Sequence, residues 1–210
     1  MNSPELREAR ENVQIPHGND TKIWNEMLFT WAWTALMRPT DALIQDIKSL
    51  KERTRIGDDY FAVHIRRGGY WGDPFRHNGE NDLDRFIGCL QNMTDVVGTY
   101  PVYVTSDDFA TKERFANASL QNVIYDDMTQ PFHVERAGRS QGFEERNRRA
   151  WAEFFLISQS RCAIACASGF SIWPVVLSRH PVTGARCFAR FEDCSTNNIQ
   201  HSMHEFLPIR

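Results

Sequence analysis

The sequence predicts an α/β fold, a parallel sheet with helices on both faces. Two observations carry that expectation. Short apolar strands, of which Tyr60–Ile65 and Val102–Thr105 are the clearest, alternate along the chain with segments of helical periodicity. Three of the strands end in polar clusters, as strands of a parallel sheet do where their carboxyl ends line a crevice.

The elements follow in order. Residues up to about Met37 hold Trp24, Trp31 and Trp33 among other apolar residues and read as a helix that packs on something. Pro39-Thr40-Asp41 supplies a helix start with Thr40 or Asp41 as cap, and Leu43, Ile47 and Leu50 form the stripe that follows, with Ile44 beside it. Phe61, Val63 and Ile65 then alternate with Tyr60, Ala62 and His64, which is a buried strand. Arg66–Glu80 is a long glycine-rich loop carrying Trp71, Asp73, Arg76 and His77, and loops of that length in a compact domain are often functional. Leu83, Phe86, Ile87 and Leu90 lie at i, i+3, i+4 and i+7, the signature of an amphipathic helix.

A strand over Val102–Thr105 closes at Ser106-Asp107-Asp108. Lys112–Ala116 is helical, Val123–Tyr125 a short strand, and Asp126–Gly142 a polar connection. Glu144–Ser158 reads as a helix with Trp151, Phe154 and Phe155 inward. Cys162–Cys166 is a strand of small residues, Ser168–Ser171 a turn, and Ile172–Arg179 a helix with Pro174 in its first turn, where proline is tolerated. Ala185–Phe191 is the last strand. The chain divides into a mainly helical segment, residues 1–55, and a sheet domain, residues 56–210.

Composition narrows the function classes. The 210 residues are 41% hydrophobic, which supports a sizeable core and argues against wholesale disorder. A net charge of −3 argues against a general nucleic-acid binder, so an anionic ligand must be met by a local basic site. No apolar run reaches the length of a membrane span, and Met1–Glu5 lacks a signal-peptide pattern. The spacings of Cys89, Cys162, Cys166, Cys187 and Cys194 match no zinc pattern. Cys162 and Cys166 read as small buried side chains, and a disulfide such as Cys187 with Cys194 is open. The triplets Asn19-Asp20-Thr21, Asn92-Met93-Thr94 and Asn117-Ala118-Ser119 have the form of glycosylation acceptors.

The chemistry concentrates at three strand ends. At the first, Arg66 and Arg67 precede Gly68 and Gly69: planar guanidinium forks that bind phosphate oxygens bidentately, beside residues that let the backbone approach a ligand. At the second stand Asp107 and Asp108. At the third, Ser168, Gly169, Phe170 and Ser171 open a helix whose N–H groups can cradle an anion. Each cluster alone has a plainer reading. The arginines can pair with surface acids, and the serines and aspartates can cap helices. The three together at one sheet edge point to a phosphate-bearing ligand.

Ordered along the chain, these motifs resemble those of the GDP-fucose-dependent fucosyltransferases, the α1,6-, α1,2- and protein O-fucosyltransferases. His64–Tyr70 is similar to the first motif, Val102–Asp108 to the second, and Phe155–Gln159 running to Ser168–Trp173 to the third, over roughly residues 38–210. The resemblance implies a Rossmann-like domain that is one half of a GT-B architecture. It implies transfer of fucose from GDP-fucose to a glycan acceptor with inversion, without metal or other cofactor, in the Golgi or secretory lumen. Arg66 would hold the β-phosphate and stabilise the leaving diphosphate, with His64 and Arg67 beside the nucleotide. Glu153 would accept the guanine N1–H and 2-amino group. Ser168, Gly169, Phe170 and Ser171 would contact the diphosphate and nucleoside, and Asp107 and Asp108 would order Arg66 or line the site.

Where relatives carry ionisable groups in the first loop, this chain has Gly69, Tyr70 and Pro74, which leaves Asp73 as the nearest candidate for the general base. Some sixty residues precede the first strand, so the acceptor domain is expected to be largely missing, with the Trp24–Trp33 face free to dock missing sequence or a partner chain. Features of both the α1,6 and the α1,2 branch occur. The α1,6 type leads, and an α1,2-like enzyme, a non-catalytic sugar-nucleotide module and a structural domain that binds a partner are the alternatives.

Overall fold

The computed structural model describes residues 39–67, 82–118, 122–127, 142–166, 168, 170, 171, 173, 174, 187–190 and 194–205. Asp73, Gly169 and the Trp24–Trp33 segment lie outside them.

Five parallel strands form one sheet: β1 (Phe61–Ile65), β2 (Val102–Ser106), β3 (Val123–Ile124), β4 (Cys162–Ala165) and β5 (Cys187–Arg190), in the order β3-β2-β1-β4-β5. Among the described residues the long helices are α1 (Asp41–Thr54), α2 (Asp82–Val97), α3 (Phe109–Ala118), α4 (Phe143–Gln159) and α5 (Thr196–Glu205). The expected fold class is therefore correct. β1 is central, and all five of its residues are buried because both faces of the sheet are covered.

Strand alternation sorts the core into two layers. Phe61, Val63 and Ile65, with Val102, Val104, Cys162, Ile164, Cys187 and Ala189, face one layer. There they meet Leu83, Phe86, Leu90 and Met93 of α2, Phe115 of α3 and Ile199 of α5. Tyr60, Ala62, Tyr103 and Ala163 face the other, against Leu50 and Ile56 and against Ala152, Leu156 and Ile157 of α4. The helix α1 packs directly on α4. Thr40 is its cap, its hydroxyl accepting the Leu43 N–H at 3.3 Å, and Arg55 ends it in the left-handed region at φ 53°.

Three local expectations change. The helix α4 turns Ala152, Glu153, Leu156 and Ile157 inward together with Phe154, leaving Trp151 and Phe155 half-buried. An acid holds an inward position because it finds partners there. Residues 196–205, to which the sequence assigned no element, form α5, whose Ile199 is fully buried.

The third change concerns the cysteines. Cys187 pairs with Cys162, not Cys194, and so joins neighbouring strands β4 and β5 at a register pair with Cα atoms 4.6 Å apart. Cys194 pairs with Cys89 of α2, Cα to Cα 5.3 Å, across 105 residues of chain. The Asn92 amide donates to the Cys194 carbonyl at 2.8 Å beside that bridge. Only Cys166 is a free cysteine, and it is buried.

Candidate functional site

Parallel pairing brings the carboxyl ends of β2, β1 and β4 side by side. His64 is the register partner of Thr105 on one side and of Ala165 on the other. The three clusters singled out in the sequence therefore meet at one edge, with Arg66 and Arg67, both half-buried, between the other two. Such an edge is where open α/β sheets place ligands.

The end of β1 is held from both sides. Toward β2, the Asp107 carboxylate accepts the main-chain N–H of Arg67 at 2.7 Å. Toward β4, the Cys166 sulfur lies 3.4 Å from His64 Nδ1, with the Arg66 main-chain N–H beside it. These contacts fix the backbone that presents the arginines. Asp108 instead caps α3, its carboxylate accepting the Thr111 N–H at 2.9 Å, while its own N–H donates to Ser106 Oγ at 3.1 Å.

Beyond β4 the chain turns tightly. The Ser168 N–H donates to the Cys166 carbonyl at 2.7 Å, and Ser168 Oγ accepts the Phe170 N–H at 3.3 Å. Ser171 is fully buried, and its hydroxyl lies 3.0 Å from the Cys166 carbonyl and 3.1 Å from the Ser168 carbonyl. Ser171 thus holds the turn, whereas Ser168 and Phe170 are half-buried at its surface. The Phe170 ring packs 5.2 Å from the His64 ring and 5.7 Å from Phe154, linking the turn to β1 and α4.

Below this edge lies a buried polar layer. Glu153 of α4 accepts a short hydrogen bond from the Thr105 hydroxyl and is 3.6 Å from Nζ of Lys112, which is itself almost wholly buried. Among the described residues, Glu153 Oε1 and the Tyr103 hydroxyl find no hydrogen-bond partner. His64 is also buried; loss of solvent, with help from the nearby Arg66 and Lys112 charges, pushes its pKa down to about 3. The imidazole is therefore neutral at physiological pH. Burial raises the Cys166 thiol, which stays protonated. Farther along the same layer, buried Asp126 binds Arg53 of α1 at 3.1 Å and Arg149 of α4.

Sequence reasoning missed Lys112, Thr105 and Cys166 as members of the site. Lys112 had one usable signal: Thr111, Lys112 and Phe115 share one side of α3, so a lysine stands on the inward stripe. Among the described residues no group of three or more His, Cys, Asp or Glu side chains could hold a metal ion, and no helix is long and apolar enough to cross a membrane.

Against protein-family profiles and curated protein sequences the chain finds no match. Among solved structures it is similar to the fucosyltransferase NodZ from Bradyrhizobium, over 72% of this chain and 44% of that one, at 15% identity and a TM-score of 0.49. A structure of the NodZ alpha-1,6-fucosyltransferase soaked with GDP-fucose aligns over 78% of this chain and 48% of its own, at 14% identity and a TM-score of 0.50. This chain thus spans less than half the length of these two structures. At such identity the likeness is one of fold: the five-stranded parallel domain is built as part of that fucosyltransferase is built.

Proposed function

We propose that this chain is the donor-binding half of an inverting, metal-independent fucosyltransferase of the α1,6 type, and that GDP-fucose binds at the carboxyl ends of β1, β2 and β4. The observation that carries the reading is the Arg66–Arg67 pair at the end of the central strand, braced by Asp107 on one side, with Cys166 against His64 on the other. A backbone held this firmly costs little further ordering when a diphosphate arrives. The fold likeness to a fucosyltransferase structure soaked with GDP-fucose points the same way.

In this reading Arg66 binds the β-phosphate, and its charge stabilises the diphosphate as the bond from fucose C1 to the phosphate oxygen breaks. An acceptor hydroxyl of a glycan attacks C1 from the opposite face, losing its proton to a base, for which Asp73 is the candidate. Ser168, Gly169 and Phe170 line the diphosphate and nucleoside, with Ser171 holding their turn and His64 and Arg67 flanking the nucleotide. Glu153, whose buried Oε1 lies 3.6 Å from Lys112 Nζ and accepts no hydrogen bond among the described residues, is the candidate acceptor for guanine N–H groups. The two disulfides suit an oxidising compartment such as the secretory lumen.

The test is GDP release from GDP-fucose, with N-glycan and β-galactoside acceptors offered separately. Turnover dependent on the N-glycan supports the α1,6 reading, and turnover on the β-galactoside supports the α1,2 alternative. Binding of GDP-fucose without turnover on either makes the chain a sugar-nucleotide-binding module. Failure to bind GDP-fucose overturns the proposal.

A further inference from the structure

We propose that Cys166 is the positioning residue of the His64–Arg66 pair: its sulfur accepts the Arg66 main-chain N–H, and its thiol proton goes to His64 Nδ1. His64 is thereby fixed as the Nε2–H tautomer, a neutral donor at the end of β1.

The argument is a count of protons. A neutral imidazole has one N–H and one acceptor nitrogen. Four groups surround the Cys166 sulfur: the main-chain N–H groups of Arg66 and of Cys166 itself, His64 Nδ1 at 3.4 Å and Ser171 Oγ at 3.6 Å. The two amides can only donate. The single Ser171 hydroxyl proton is directed to main-chain carbonyls at 3.0 and 3.1 Å. The thiol proton therefore has two acceptors to choose from, an imidazole nitrogen and a more distant hydroxyl oxygen. The nitrogen is nearer and the stronger base. With the proton on Nδ1 instead, that N–H would have to be accepted by a sulfur that already accepts an amide, and sulfur is a weak acceptor. Burial of His64, Cys166 and Ser171 keeps water from substituting for any of the three.

One sulfur thus couples the two members of the first motif. It sets which imidazole edge carries the donor, and it anchors the backbone from which the Arg66 guanidinium extends. The tautomer assignment stands apart from nucleotide binding. Its consequence for nucleotide binding rests on the function proposed above.

The experiment is ¹⁵N NMR of the histidine side chains of the full chain without ligand, with His64 assigned by its loss in His64→Asn. The expected result is the Nε2–H tautomer in the wild type and in Cys166→Ser, whose hydroxyl can still donate, and a mixture of tautomers in Cys166→Ala. A wild-type Nδ1–H tautomer overturns the proposal, whether or not the alanine variant folds, and so does a single Nε2–H tautomer in a folded Cys166→Ala. Calorimetry with GDP is the second arm. Cys166→Ala should weaken binding about two- to tenfold, the effect of one hydrogen bond, with recovery in Cys166→Ser. Equal affinity in all three confines Cys166 to a structural role and overturns the positioning claim. Absence of GDP binding in the wild type instead overturns the proposed function and leaves the tautomer result to decide the rest.

Discussion

The two faces of the sheet are held by different physics. The face covered by α2, α3 and α5 has the larger apolar layer, and both disulfides lie on it, one between β4 and β5 and one tying α2 to the segment before α5. Among the described residues the face covered by α1 and α4 has a smaller apolar layer and carries buried charge: Asp126 with Arg53 and Arg149, and Glu153 with Thr105 and with Lys112, which reaches it from α3. Burying an ion pair stabilises little compared with an apolar pair of the same size, but it tolerates few alternative arrangements. The stapled face supplies stability. The charged face, where Glu153 holds Thr105, the register neighbour of His64, supplies position.

Breaking the staples should show the largest effect. The Cys89–Cys194 bridge closes a loop of 105 residues and should contribute about 4–5 kcal/mol, and Cys162–Cys187, which closes 25, about 3–4 kcal/mol. Urea melts of oxidised and reduced protein measure this. Reduction should lower the midpoint sharply, and Cys89→Ala should cost more than Cys187→Ala.

Breaking the charged face should cost less and behave differently. Lys112→Met leaves Glu153 buried without its ion-pair partner and should cost about 3 kcal/mol, whereas Lys112→Met with Glu153→Leu should recover most of that loss. A double-mutant cycle by chemical denaturation checks it. Recovery of stability without recovery of GDP binding would sharpen the division between the faces. No recovery would mean that the pair itself stabilises the fold.

A smaller effect appears with pH. The His64 pKa is about 3 in the folded chain and about 6.5 when unfolded. Between those values the unfolded chain binds a proton that the folded chain does not. The contribution is complete above pH 6.5 and is lost as pH falls toward 3. From pH 7.5 to pH 5 the loss should be about 2 kcal/mol. Denaturation at both pH values, in the wild type and in His64→Gln, isolates the slope, which should be shallower by that amount in the variant.

Legibility in the sequence followed the same division. Strand alternation in Phe61–Ile65 and Val102–Ser106 is a local property, as is the helical stripe through Phe86 and Leu90, so the sheet and its layers could be read directly. The meeting of Arg66, Asp107 and Ser168 followed from parallel pairing, which the strand–helix alternation implies. What could not be read depends on partners far apart in the chain. Cysteine pairing is set by strand order, which put Cys187 next to Cys162. Lys112 is inward because Glu153 waits on another helix, and Cys166 joins the site because β4 is the neighbour of β1. Asp108 and Ser171 show the limit of motif reasoning: the side chain of one caps α3 and that of the other closes a turn.

The central claim is that the end of β1 holds a guanosine diphosphate on Arg66. Calorimetry with GDP and ADP on the wild type and Arg66→Ala tests it most directly. GDP should bind the wild type and ADP should bind far more weakly, by a few kcal/mol if Glu153 reads the base. Arg66→Ala should lose GDP binding while melting close to the wild-type temperature, since Asp107 still holds the neighbouring Arg67 N–H. Equal affinity for the two nucleotides, or undiminished GDP binding in Arg66→Ala, would contradict the account.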